Sequence, residues 1–257
     1  MKPHFLLLTI LSIILCYSNQ LFTVEYSPSI YVSDVEWSKV VDFLMPDDHP
    51  IKNDLDEVFS ASRVICDMKT MVKAGFEFAR PQAFTGIIVT KHPRLKGYVM
   101  KAYLDDQKLH LKNPEQYPWV KRVIGSRLIQ KSIDNHHYDH LLKVPKKWVY
   151  LLPDDPSPPS HYWRKNFILI EEDMNILSDK KNKMRWRKKM TKELLEAIYT
   201  VIAEVSLSDC KLANIPFSPD GKVAFIDTQS HGRRVKYKKI TPFLSSSMKR
   251  YWLKLRD

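Results

Sequence analysis

Three oxygen-bearing side chains lie close together in the last quarter of the chain: Asp209, Asn214 and Asp227, with Lys211 between the first two. Carboxylates and carboxamides are the ligand types a hard divalent cation prefers. Phosphoryl transfer asks little covalent help of a protein. It needs a metal on the phosphates, a cation to hold them and a carboxylate to receive the nucleophile's proton. Asp209, Asn214 and Asp227 supply the metal ligands and the carboxylate.

These residues sit where an element ends and a loop begins. A helix is expected over 191–206, with Thr191 as its N-cap and Leu194, Leu195, Ile198, Val201, Ile202 and Val205 forming one apolar face. It leads into 207–215, a turn at Pro219, Asp220 and Gly221, and a strand over 222–227 that ends on Asp227. Upstream, 84–90 and 97–104 are rich in β-branched and aromatic residues, with Pro93 and Gly97 at the joint, and they predict a hairpin. Pro118 opens a helix to about residue 136, because proline suits a first helical position. Two short apolar strands follow at 147–152 and 166–170, joined by the turn-rich 154–160. Residues 32–78 carry a mostly helical pattern, and Ser245–Ser247 caps a last helix over 248–255.

With these elements in order, the chain resembles the protein-kinase-like superfamily. The run Asp209-Cys-Lys-Leu-Ala-Asn214 is similar to that family's catalytic loop, and Asp227, thirteen positions on (227 − 214), stands where its metal-binding aspartate does. Val99-Met-Lys101 resembles the strand whose lysine holds the nucleotide phosphates. Glu171-Glu-Asp173-Met174 falls where the family has the hinge that meets adenine. The resemblance implies an α+β, two-lobe fold with a small N-terminal sheet and a reduced helical C-lobe. With the resemblance spanning about 76–229, the chain divides into a signal segment (1–22) and an N-terminal helical region (23–78), both read from their own residue patterns, then a kinase-like N-lobe (79–174) and C-lobe (175–257). The resemblance further implies ATP with Mg²⁺ or Mn²⁺, a hydroxyl acceptor on a protein or small molecule, Asp209 and Lys211 as catalytic residues, Lys101, Glu171 and Asp173 at the nucleotide, and Asn214 and Asp227 on the metal.

The departures from the family are specific. Leu207-Ser208 stands in place of His-Arg before Asp209, and Thr228-Gln229 in place of Phe-Gly after Asp227. The only candidate phosphate loop is 80–86, where Arg80, Gln82 or backbone amides would make the contacts. No glutamate lies between Pro118 and His136 to pair with Lys101, which leaves Glu115 or Gln130. No Ala-Pro-Glu-like segment follows Asp227. A binding module that keeps the residues without turnover is the alternative these departures favour.

Composition frames the rest. The 257 residues, 44% apolar and 11% aromatic, suit one sizeable folded unit and exclude a disordered chain. Residues 1–20 read as a short basic start, an apolar stretch and a polar exit, the pattern of a secretory signal, with an uncleaved anchor or a buried helix as alternatives. Cys16 is also placed as a lipoprotein cysteine would be, although Ile13-Ile14-Leu15 lacks the small residue such a site wants. Export makes secretion, an envelope or lumenal compartment, or delivery into a host the expected destination, with membrane contact through that segment alone. Cys66 and Cys210 form either one bridge or two thiols. A net charge of +12 is densest at 180–189, expected as a solvated loop and helix start. That run also permits a protein binding nucleic acid or anionic surfaces, with nucleic acid the less expected partner. His136 and His140 suggest a surface cluster rather than zinc ligands, and His231 lies near Asp227.

Overall fold

A computed structural model describes residues 27–78, 86–109 and 113–255. The signal segment, Cys16 and residues 80–85 of the expected phosphate loop lie outside these residues.

The N-terminal helical region forms short helices: α1 (Asp34–Trp37), α2 (Lys52–Ala61) and α3 (Met68–Lys73). The Ser33 hydroxyl caps α1 in a reciprocal box with Glu36, and the Asp67 side chain caps α3. Leu55 and Phe59 of α2 and Met71 of α3 turn inward onto a sheet.

That sheet has five antiparallel strands: β1 (Glu77–Phe78), β2 (Ile88–Lys91), β3 (Tyr98–Ala102), β5 (Lys147–Leu151) and β6 (Phe167–Glu172), in the order β1-β2-β3-β6-β5. The expected hairpin is β2–β3, with Ile88 opposite Ala102. Because side chains alternate across a strand, Met100, Ala102, Tyr150, Ile168 and Ile170 share one core with α2 and α3. Val149, Phe167 and Leu169 face the other way, onto Trp119 and Val123 of the long helix α4 (Tyr117–Asn135). The N-terminal helices therefore share a core with the sheet.

The remaining elements are β4 (Leu142–Lys143), α5 (Asp179–Lys189), α6 (Lys192–Glu204), β7 (Val223–Ala224) and α7 (Ser246–Lys254). Thr191 caps α6 as expected, accepting from the Leu194 amide, and Ser245 caps α7. Leu195, Ile198, Val201 and Ile202 of α6 meet Ile129 and Ile133 of α4 and Trp252 of α7 in one core. The chain is α+β, with the sheet and N-terminal helices on one side of α4 and a helical half on the other.

Two expectations change. The strand expected over 222–227 shrinks to Val223–Ala224, paired in parallel with β4, because beyond it the backbone of Ile226 bonds to Asn214 instead of to a neighbouring strand. The basic run 180–189 is a complete helix rather than a loop. Its Trp186 is fully buried and Asn182 bonds to the backbone at Leu212 and Phe217, tertiary anchors that outweigh a weak local pattern.

Candidate functional site

Lys101 lies on β3, and strand register decides its neighbours. Val99 is the Cα partner of Glu171, and Lys147 lies directly opposite Glu171 on β5. Lys101, two residues from Val99, shares that face and stands diagonal to Glu171, within reach of a long side chain. The Glu171 carboxylate is thus held between two ammonium groups, with Lys101 Nζ 2.8 Å from Oε1 and Lys147 Nζ 2.8 Å from Oε2. All three side chains are at least nine-tenths shielded from solvent. Burial disfavours the charged carboxylate, but the two ammonium groups outweigh it and hold Glu171 below the usual carboxylate range. Burial pulls Lys147 down to about 8 against the attraction of Glu171.

The acid that pairs with Lys101 is therefore Glu171, and neither Glu115 nor Gln130. Glu115 accepts the amides of Asn166 and Phe167, where burial lifts its pKa to about 7, and Gln130 donates to Asp134. Glu171 also departs from its expected place in a hinge, because it is an interior strand residue whose carboxylate faces the sheet's own lysines. Asp173 lies just past β6, where its amide donates to Gly97 O at 2.7 Å and its carboxylate pairs with Lys91.

Both lysines reach the acid loop. Lys101 Nζ donates to Ile226 O at 3.2 Å and Lys147 Nζ at 2.8 Å, and Ile226 immediately precedes Asp227. The Ile226 amide in turn donates to Asn214 O at 2.9 Å. Asn214 Nδ2 donates to both the backbone and the side-chain oxygen of Asp209, each at 2.9 Å. Lys101, the Ile226 backbone that precedes Asp227, Asn214 and Asp209 are thus joined through one chain of contacts.

Helix α4 seats the acid loop. Thr228 Oγ1 donates to Arg122 O at 2.6 Å, and the His231 ring meets Lys121 O at 3.2 Å. A Cβ on Gly125 would lie 2.0 Å from Thr228 O, so this approach requires glycine. Arg122 Nε stands 3.5 Å from Asp227 Oδ1. Burial opposes the Asp227 charge, yet Arg122 and the two lysines depress its pKa below the ordinary value. Asp227 Oδ1 is buried and accepts no hydrogen bond among the described residues. A buried carboxylate oxygen left unbonded is the ligand type a hard divalent cation takes.

Asp209 is more open. Its carboxylate meets Lys239 Nζ at 2.5 Å and Lys211 Nζ at 3.5 Å, and its amide donates to Ser230 Oγ at 3.0 Å. Partial burial opposes its charge, while Lys239, Lys211 and Asn214 bring its pKa below the ordinary aspartate value.

Two cavities flank this arrangement. One of about 480 Å³ opens between α4 and β5 and is lined by Arg127, Lys131, Lys146, Lys147 and Trp148. A second, of about 200 Å³, adjoins the Asp209 loop and is lined by Asn182, Lys183, Lys211, Leu212 and Phe243. Of the acid and lysine constellation the larger touches only Lys147, so that constellation, rather than cavity size, marks the site.

Other sequence candidates separate. His136 meets Glu204 and His140 meets Glu193, two contacts with no third ligand, and no cluster of three or more His, Cys, Asp or Glu suited to a metal occurs among the described residues. Cys66 and Cys210 are both free thiols, Cys210 buried with its pKa pushed up to about 12. Sequence reasoning missed Lys147, Arg122 and Lys239. Lys147 opens an apolar strand, which was a usable signal; the other two depend on long-range packing. Comparison of the sequence with protein-family models and with curated proteins yields no match.

Proposed function

We propose that this chain is a secreted, atypical kinase-like phosphotransferase that uses ATP with Mg²⁺ or Mn²⁺ and passes phosphate to a hydroxyl acceptor. The observation that carries the reading is the bond from Lys101 Nζ to Ile226 O, which brings the lysine strand against the residue preceding Asp227 across 125 positions (226 − 101). Lysine on one side and Asp and Asn on the other are the parts phosphoryl transfer requires.

In this reading Lys101, oriented by Glu171, holds phosphate oxygens, and Asn214 with Asp227 holds the metal, which neutralises charge on the phosphates when bound. Asp209, ionised and steadied by Asn214, receives the proton of the acceptor hydroxyl. Lys211 and Lys239 offset negative charge beside it. Arg122 balances Asp227 when no cation is present. Export rests on the sequence pattern of residues 1–20 alone.

A second reading, nucleotide binding without transfer, is favoured by the internal pairing of each acid: Asp227 with Arg122, and Asp209 with two lysines. Thermal unfolding with millimolar ATP and Mg²⁺ or Mn²⁺ tests both. A ligand at a hundred times its Kd stabilises by about 2.7 kcal/mol. A metal-dependent rise in midpoint that Asp227→Ala loses supports the site, and phosphate appearing on an acceptor panel then separates transfer from binding. No shift in the wild-type chain overturns both readings.

A further inference from the structure

Helix α5 is fixed beside the loop that bears Asp209. Asn182 Nδ2 donates to Leu212 O at 3.4 Å and its Oδ1 accepts from the Phe217 amide at 3.0 Å, while Arg185 donates to Ser218 O at 3.3 Å. Trp186 packs edge-on against Phe217, ring centroids 6.0 Å apart. This uses one face of the helix. The other presents Lys180, Lys181, Lys183, Arg187, Lys188 and Lys189 to solvent.

The helix holds seven Lys and Arg against the single acid Asp179, and none of its cations pairs with an acid among the described residues. Lys183 and Arg187 stand four apart, and Lys180 and Lys183 three apart, spacings at which like charges destabilise a helix by a few tenths of a kcal/mol per pair. Residues 233–239 add the exposed Arg233, Arg234, Lys236 and Lys238, with Lys239 on the aspartate itself. The sequence contains no acid from Thr228 to Arg256. The 200 Å³ cavity is walled by Lys183 and Lys211, with Asp179 the one acid in its lining.

From this arrangement we infer that the acceptor is an acidic polypeptide segment whose hydroxyl-bearing residue is flanked by carboxylate or phosphate groups; the inference rests on reading Asp209 as the acceptor site. Charge complementarity selects the partner, since the unpaired cations of α5 and of 233–238, in segments that border the Asp209 loop or contact its carboxylate, attract a polyanion and orient it. Single-stranded nucleic acid is held on exposed aromatic platforms for its bases, and the only aromatic of α5, Trp186, is fully buried; a duplex, bound through its phosphates, is the competitor the test includes. A membrane surface needs an apolar face on the helix, and the apolar face of α5 is occupied by its own core.

The test is fluorescence anisotropy of the full chain with a labelled serine peptide flanked by glutamates, and with its lysine-flanked counterpart, across a salt series. Two double variants carry the same charge change: Lys183→Glu with Arg187→Glu on α5, and Lys39→Glu with Lys96→Glu on exposed positions of the N-terminal half. The glutamate peptide binds, the lysine peptide does not, affinity falls with salt, and the α5 double variant alone weakens it by about tenfold or more. Equal losses in the two double variants, or tighter binding of duplex DNA or anionic vesicles than of the peptide, overturn the inference. Asp227→Ala separates the two levels: peptide binding that survives in a chain showing no nucleotide response leaves this surface standing and removes the kinase reading.

Discussion

Two carboxylates in this molecule each sit between two lysines, and they differ in the medium around them. Glu171, Lys101 and Lys147 are enclosed between β3, β6 and β5. Asp209 meets Lys211 and Lys239 with 30% of its side chain in solvent. In the enclosed cluster neither ion can exchange its partner for water, so the charges define one geometry and fix the Lys101 ammonium against the acid loop. At the open site each lysine has water as an alternative partner, which lets a substrate displace it at small cost. The first arrangement suits positioning and the second suits turnover.

The largest effect is expected from Glu171→Gln. Neutralising the acid leaves two ammonium groups in a buried site, and removing one partner of a buried ion pair costs about 3–5 kcal/mol. Urea unfolding measures it, and a loss below about 1 kcal/mol would make the enclosed cluster energetically like the open one. Nucleotide affinity should fall along with stability, because Lys101 loses the group that orients it.

The pH dependence of Lys147 is expected next. Its folded pKa of about 8 lies below its ordinary value of 10.5, so between these values the unfolded chain binds more protons and stability rises with pH. Below about 8 the cost of burying the charge is fully present; above 10.5 it is gone. The difference amounts to about 3 kcal/mol over the window. Unfolding free energies at pH 7.5 and 10.5, compared with those of Lys147→Met, should show the rise only in the wild-type chain.

These two groups also mark the limit of what the sequence discloses. Local patterns were sufficient for α6, because Thr191 and a clean apolar stripe act within one helix, and for the β2–β3 hairpin, whose strands are neighbours in the chain. They were sufficient for the order of Lys101, Asp209, Asn214 and Asp227. The partner of Lys101 was not legible, because it follows from β3 pairing with β6 across some 70 positions (171 − 101), and a strand's register is invisible in its own residues. Helix α5 was hidden for a related reason. Its composition is that of a solvated run, and only contacts with Leu212 and Phe217 make it a helix.

Gly125→Ala probes the connection between the two carboxylates. The added methyl would meet the Thr228 carbonyl at 2.0 Å and the His231 ring at 2.9 Å, and backbone cannot rotate away as a side chain can. Overpacking of this kind costs about 1–3 kcal/mol. The displacement falls on the residues after Asp227, so the ATP and metal response should weaken more than global stability does. A variant that loses stability and nucleotide response in equal proportion would show that α4 serves the core rather than the acid loop.

Asp209→Asn should have the smallest effect on stability and the largest separation between stability and activity. The carboxylate is half open, so its pairs with Lys211 and Lys239 contribute no more than about 1 kcal/mol after solvent screening. Because its folded pKa is depressed, that contribution is present above the ordinary aspartate value and disappears as pH falls through the folded one. Wild type and variant should therefore differ slightly at pH 7 and converge in midpoint only in acid, at a pH below the ordinary aspartate value of 3.8. The asparagine still accepts a hydrogen bond from Asn214, so the loop keeps its shape and nucleotide binding persists, while a proton-accepting carboxylate is gone. Thermal midpoints at the two pH values, measured beside transfer to an acidic serine peptide, distinguish the possibilities. Retained transfer in the variant would reduce Asp209 to a loop-stabilising residue. The open site would then differ from the enclosed one only in exposure, without a difference in task.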